Sequence, residues 1–312
     1  TYGRPMWLAV AVCIVISGLM ESYPSLITMN FTLLLFFNER GEEDSRIGRT
    51  MCLGSALLTA SVLFVIYSPL LPLRHSGEGQ MKIRDIKAPS GFERKEYSEG
   101  EYRDFIRDLP LASEDRAVTY YDRPDKVESI EPYSYRVVDV PLISPIEQCA
   151  DVCMHLRAEY LFRNRRYFKL QFEDTQHGVM RYPVVLGGLE YAYRKFMLKV
   201  FRRANTESLC NEMKRRGSLD EVEVGDVWCY DFHSRDSARY GHAIMGADVA
   251  VDSATGEKMM LLVQGSTPAC DIHILRNTID PEISPWFRLD CDGDFLDFGF
   301  AKYRKDELYH FQ

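Results

Sequence analysis

The stretch Ser144-Pro145-Ile146-Glu147-Gln148-Cys149-Ala150-Asp151-Val152-Cys153-Met154-His155-Leu156-Arg157-Ala158-Glu159-Tyr160-Leu161-Phe162-Arg163 decides how this chain is read. Ser144 and Glu147 have the spacing of a capping box, and Pro145 falls at the first helical position, where its missing N–H costs nothing. The pattern predicts a helix reaching about residue 163, with Ile146, Cys149, Cys153, Leu156 and Tyr160 on one stripe. Downstream the pattern changes. Residues 227–232, 242–251, 258–264 and 271–275 are β-rich runs, with Asp252-Ser253-Ala254-Thr255-Gly256 as a turn between the middle pair. Helices followed by an antiparallel meander give an α+β domain, not a doubly wound parallel sheet.

Upstream of that helix, residues 82–89 read as an entry strand and 101–107 as a short helix with Tyr102, Phe105 and Ile106 on its apolar face. Tyr120, Tyr121 and residues 135–140 have strand character. Beyond it, Phe168, Leu170 and Phe172 alternate with polar residues as one half-buried strand. Helices are expected near 189–203 and 206–216, the second ending in Lys214-Arg215-Arg216, a cationic end that complements the helix dipole.

The chain has 312 residues, 46% hydrophobic and 27% charged, which is the composition of a folded protein. Its net charge of −8 lies almost wholly after Met81, where 33 Lys and Arg face 40 Asp and Glu. That acidic balance argues against nucleic-acid binding, which needs a cationic face. No GxGxxG or Walker loop occurs, so no nucleotide is implied and no cofactor is expected.

Residues 51–73 carry no formal charge and exceed the roughly 20 residues needed to cross a bilayer as a helix. Arg46 and Arg49 precede them, which keeps the upstream end cytoplasmic and exports the chain from Gly77 onward. An uncleaved anchor is favoured over a signal peptide, because no small-x-small cleavage site comes after the apolar run. Residues 1–50 hold two shorter apolar runs. They are either an incomplete membrane region or sequence upstream of a misplaced start at Met51. Residues 74–81 form a linker, and 82–312 the exported domain. Six of the eight cysteines, at 149, 153, 210, 229, 270 and 291, fall in that domain, where disulfides are permitted. Cys149 and Cys153, four apart on one helix, are poorly placed to bond to each other, and no CxxC spacing suggests zinc.

Cys149 on the capped helix and His242 at the head of a strand are the pair that would carry chemistry. A thiol is only a few per cent thiolate at neutral pH, so a nucleophilic cysteine needs an activating partner. A helix N-terminus contributes roughly 0.3–1 kcal/mol, short of the 1.36 kcal/mol per pKa unit, so an imidazole is required. That imidazole in turn needs an acceptor on its second nitrogen, for which Gln264, Asp248 and His273 are the sheet-borne candidates. The alternative is a core thiol and a histidine satisfied by a backbone carbonyl. His242, Asp248, Asp252 and His273 lack a compact metal-ligand signature, and no metal is expected. Asp290, Asp292, Gly293 and Asp294 read as a solvated acidic turn rather than a calcium loop. Arg157 is a candidate for ligand binding or for an ion pair with Glu159. Trp228 and Trp286 are core aromatics, or a sugar platform if exposed.

Several of these residues are familiar together. Gln148-Cys149-Ala150-Asp151, Leu156-Arg157-Ala158-Glu159-Tyr160-Leu161, Gly241-His242-Ala243, Asp248-Val249-Ala250, Gln264, Asp271-Ile272-His273-Ile274-Leu275 and Pro285-Trp286-Phe287 resemble the family catalogued as domain of unknown function 4846. Ala88-Pro89-Ser90-Gly91-Phe92 and Leu109-Pro110-Leu111 resemble its opening. The likeness covers most of residues 82–290 and implies an exported bacterial envelope protein. Gly265-Ser266-Thr267 departs from the family's usual wording. More distantly, Gly-Asp-Val followed by Gly-His-Ala is similar to strand signatures of NlpC-type and CHAP-type cell-wall amidases, which implies a papain-like arrangement.

The reading is therefore a membrane-anchored envelope protein with Cys149 as nucleophile, His242 as general base and Gln264 as an orienting or oxyanion-stabilising group. Asp248, His273, Trp228 and Arg157 are candidate binding residues. The partner would be peptidoglycan, cleaved at a peptide amide, or another envelope component. The alternative is a non-catalytic domain that binds cell-wall glycan or a protein through the same cleft.

Overall fold

The computed structural model of the chain describes residues 80–231, 241–289 and 293–312. The membrane segment expected at 51–73, the region before it and the first part of the linker lie outside the described residues, as do Asp290 and Asp292 of the acidic turn. Among the described residues no helix is long and apolar enough to cross a membrane.

The strands, in chain order, are β1 (Phe92–Arg94), β2 (Ser134–Val137), β3 (Gln171–Glu173), β4 (Val179–Arg181), β5 (Lys214–Arg215), β6 (Val227–Tyr230), β7 (His242–Asp252), β8 (Lys258–Gln264), β9 (His273–Leu275), β10 (Phe287–Arg288), β11 (Phe295–Asp297), β12 (Lys302–Arg304) and β13 (Leu308–His310). The helices are α1 (Tyr102–Arg107), α2 (Cys149–Arg163), α3 (Glu190–Arg203) and α4 (Thr206–Glu212). The main sheet runs β2-β9-β8-β7-β6-β13-β5, with β1 beside β7 and β10 beside β8, and its pairings are antiparallel. The α+β class and the meander from β6 to β9 are thus present.

The turn between β7 and β8 is built as its residues demand. Asp252 Oδ1 accepts the N–H groups of Ala254 and Thr255, and Gly256 takes φ +77°, which favours glycine. A bulge between Gly246 and Asp248 bends β7.

Among the described residues, 80–182 and 193–312 belong to one compact unit and 183–192 to another. Within it a 3₁₀ turn, Val184–Leu186, is closed by the Leu186 N–H donating to the Pro183 carbonyl at 2.9 Å.

In the main unit α2 is the central helix. Its residues from Cys149 to Leu156 are all buried, as are Ala158, Tyr160, Leu161 and Phe162, so it has core on nearly every side rather than along one stripe. Phe162 stacks on Tyr193 with ring centroids 4.3 Å apart, and Tyr182 and Phe196 extend the aromatic packing. A disulfide between Cys210 of α4 and Cys229 of β6 ties that helix to the sheet.

Three local expectations are corrected. The α2 helix begins at Cys149 and not near Pro145, because residues 144–147 form a separate turn in which the Glu147 N–H donates to the Ser144 carbonyl. Residues 82–89 hold a 3₁₀ turn, Ile83–Asp85, and an isolated bridge from Lys82 to Pro110 rather than a strand. Lys214 and Arg215 are not a helix end: Met213 is extended, and the two residues pair with His310 and Tyr309 as β5.

Candidate active site

The turn before α2 is held by Glu147, whose side chain is fully buried. One carboxylate oxygen accepts the Ile143 N–H at 2.7 Å and the other meets His155 Nδ1 at 2.6 Å. Burial works against charge on His155, but the Glu147 carboxylate outweighs it and raises the ring's pKa. The chain then enters the helix at Gln148, whose N–H donates to Asp151 Oδ2 at 2.9 Å, the reciprocal half of a capping box one turn later than the sequence suggests. Cys149 therefore occupies the first helical position, among amides that lack intrahelical acceptors.

His242 opens β7 opposite Tyr230, and its ring lies close enough to the Cys149 thiol that each shifts the pKa of the other. Burial pushes the thiol up, but the His242 ring and the N–H groups of Ala243 and Ala150 more than offset this, so its pKa lies below the ordinary value. Burial likewise pulls His242 down, while Cys149 and Gln264 raise it to a net upward shift. The two shifts together favour thiolate beside imidazolium. The Phe300 and Tyr303 rings stand 5.5 and 6.5 Å from the His242 ring and wall one side of it.

Behind His242 the sheet register supplies the next groups. Gln264 ends β8 and is paired directly with His273 of β9, which brings the two side chains within reach. His242 Nε2 lies 3.1 Å from Gln264 Oε1, and Gln264 Nε2 lies 3.1 Å from His273 Nε2. His273 Nδ1 is 2.9 Å from the Asp271 carbonyl, and burial lowers its pKa to about 4. Gln264 and His273 are fully buried. Gly265 comes directly after Gln264 and packs against α2: a Cβ there would lie 2.5 Å from Val152 Cγ2.

Of the residues named from the sequence, Cys149, His242, Gln264 and His273 therefore converge. Gln264 is oriented by partners at both ends of its amide, which makes it the acceptor behind His242 rather than an open oxyanion donor. Asp248 lies elsewhere: it is fully buried, 2.6 Å from Arg94 Nε and 2.5 Å from Arg107 Nε. Arg157 packs over the Tyr102, Tyr160 and Phe311 rings and donates to the Gln312 carbonyl at 2.8 Å. Trp228 and Trp286 are both buried, Trp228 against Phe298 and Tyr303, so neither presents a face to a sugar. Among the described residues no three His, Cys, Asp or Glu side chains are gathered as a metal site.

Three participants escape the sequence reading. Asp151 is marked only by its three-residue spacing from Gln148, and burial pushes its pKa up to about 8. The Glu147–His155 pair and the carbonyl of Asp271 have no local signal.

A cysteine at a helix start, a histidine on the adjoining strand and an amide behind it define an α+β domain with a thiol–imidazole pair. The chain belongs to the family described as domain of unknown function (4846), whose model matches residues 83–189 and 187–309. Comparison with curated proteins and with solved structures returns no match.

Proposed function

We propose that this protein is a cysteine hydrolase that cleaves peptide amides of the cell envelope, with peptidoglycan stem peptides as its substrate. The observation that carries this reading is the juxtaposition of Cys149, at the first position of α2, and His242, each acting on the charge of the other, with Gln264 Oε1 3.1 Å from the Nε2 of the ring. A helix-borne Cys preceding a strand-borne His and an amide acceptor along the chain is the order of papain-like enzymes. The Cys210–Cys229 disulfide fits an oxidising compartment, and residues 51–73 would provide the anchor.

The groups present define the chemistry. The Cys149 thiolate attacks the amide carbonyl carbon, forming the C–S bond and placing charge on the carbonyl oxygen. The N–H of Cys149, left without an intrahelical acceptor at the helix start, would donate to that oxyanion. His242, protonated at Nδ1, gives this proton to the amide nitrogen as the C–N bond breaks, leaving a thioester and a free amine. Water then attacks the thioester, giving one proton to His242. The C–S bond breaks and the product acid is released.

The test incubates the full chain with purified stem peptides and muropeptides and tracks new amines by mass spectrometry. Cleavage that is lost in Cys149→Ala and blocked by prior alkylation of Cys149 supports the reading. No cleavage of any peptide amide, with Cys149 alkylating no faster than a free thiol, overturns it.

A further inference from the structure

We propose that His273 is a positioning residue that sets the polarity of the site, by forcing the Gln264 amide to present its oxygen to His242. The inference rests on the Cys149–His242 reading and extends it to how the pair is held in its reactive tautomer.

The direction of every hydrogen bond behind the dyad can be worked out from its far end. The Asp271 backbone carbonyl can only accept, so His273 Nδ1, 2.9 Å away, carries a hydrogen. His273 is enclosed by the sheet, and the charged or titratable groups acting on it are Asp271, His242 and Glu131. Burial keeps the ring neutral, so with Nδ1 protonated its Nε2 bears only a lone pair. A lone pair facing Gln264 at 3.1 Å requires the NH₂ end of the amide there. The oxygen end is then turned to His242 Nε2, also at 3.1 Å, and must receive a hydrogen from it. His242 is thereby protonated at Nε2, and its Nδ1 is left for the sulfur.

The opposite arrangement shows what His273 prevents. An amide flipped end for end would present NH₂ to His242, which then holds its only proton on Nδ1 and cannot become imidazolium without facing a donor. Thiolate formation at Cys149 would be penalised. Glutamine alone does not choose between the two orientations, because its ends have nearly the same shape. The choice comes from a neutral histidine tied to a backbone carbonyl.

The experiment measures the pH dependence of Cys149 alkylation by iodoacetamide in the full chain, which needs no substrate. The groups that face the thiol are His242 from β7 and Asp151 and Cys153 from α2. His273→Leu is expected to raise the apparent thiol pKa by at least about one unit, a roughly tenfold slower reaction at neutral pH. Adding Gln264→Glu to that variant is expected to restore it, because a carboxylate accepts from His242 in either orientation. An unchanged profile in His273→Leu, or a raised one that Gln264→Glu does not restore, overturns the inference. If His273→Leu does not fold, ¹⁵N chemical shifts of the wild-type imidazoles decide: His273 protonated at Nδ1 supports it, and His273 protonated at Nε2 overturns it. Fast, low-pKa alkylation in wild type with no effect of His273 is failure of this inference alone. A wild-type thiol of ordinary pKa is failure of the dyad itself.

Discussion

The thiol of Cys149 and the ring of His242 act on each other's charge where the first residue of α2 meets the first residue of β7. Burial alone would make this sulfur a poor nucleophile, since desolvation favours the neutral thiol. His242 is what reverses the sign. Replacing it by Ala leaves the burial and removes the main opposing interaction, so the thiol pKa is expected to rise above its ordinary value. The rate of iodoacetamide labelling at neutral pH should fall at least about tenfold, the equivalent of one pKa unit. Labelling read out by peptide mass spectrometry checks this, and an unchanged rate would show that the ring does not activate the sulfur.

Asp248 stands apart from that pair, and its substitution should separate stability from reactivity. Its carboxylate is buried between Arg94 and Arg107 and also accepts the Val249 N–H at 2.8 Å. Asp248→Ala leaves two guanidinium groups without their counter-charge, one of them buried, at a cost of about 3–5 kcal/mol. Urea unfolding is expected to show that loss, while the inflection of the Cys149 alkylation profile in the folded variant stays where it is in wild type. A shifted inflection would tie Asp248 to the site.

The contrast between these residues explains what the chain reveals without coordinates. Cys149, His242 and Gln264 are legible because a capped helix and the β-runs after it fix their order along the chain, and a thiol requires a base with an acceptor behind it. The start of α2 is not, because Ser144, Pro145 and Glu147 satisfy a local capping pattern. Glu147 instead commits its carboxylate to Ile143 and to His155, eight residues away. Asp248 cannot be assigned from spacing, since its arginines lie 154 and 141 residues distant and leave no local trace. Likewise β5 is specified by pairing with β13, near the other end of the domain, and Lys214-Arg215 reads locally as a helix terminus.

Asp151 should make stability fall with pH. Its ordinary pKa is 3.8, and burial, with the Cys149 and Glu147 charges beside it, pushes this up to about 8 against the opposing Gln148 N–H. Between those values the folded chain keeps a proton that the unfolded chain has released, so each rise in pH favours unfolding. The loss is complete once pH passes the folded pKa. Asp151→Asn can still accept the Gln148 N–H and does not ionise. Denaturant unfolding across roughly pH 5 to 8 is expected to decline less steeply in the variant, by up to about 1.36 kcal/mol per pH unit. Glu212, raised to about 7 chiefly by burial, leaves part of the decline in place. Parallel curves for the two proteins would contradict the assignment.

Gly265 tests how closely α2 must approach β8 for the thiol to meet its partner. A Cβ at this position would stand 2.5 Å from Val152 Cγ2 and 3.3 Å from its Cβ, with the Gln148 carbonyl at 3.4 Å. Val152 is β-branched and buried, so it has little rotamer freedom to yield, and the helix start has to move instead. Gly265→Ala is therefore expected to cost about 1–3 kcal/mol in urea unfolding. It should also raise the apparent pKa of Cys149, which sits three residues before Val152 on the displaced helix. Combining it with Val152→Ala removes the atom that the new methyl group strikes. The double variant should recover the low thiol pKa while keeping a stability loss from the emptied core position. If Gly265→Ala alone leaves both stability and alkylation untouched, then close contact between the helix start and the end of β8 is not what seats the nucleophile.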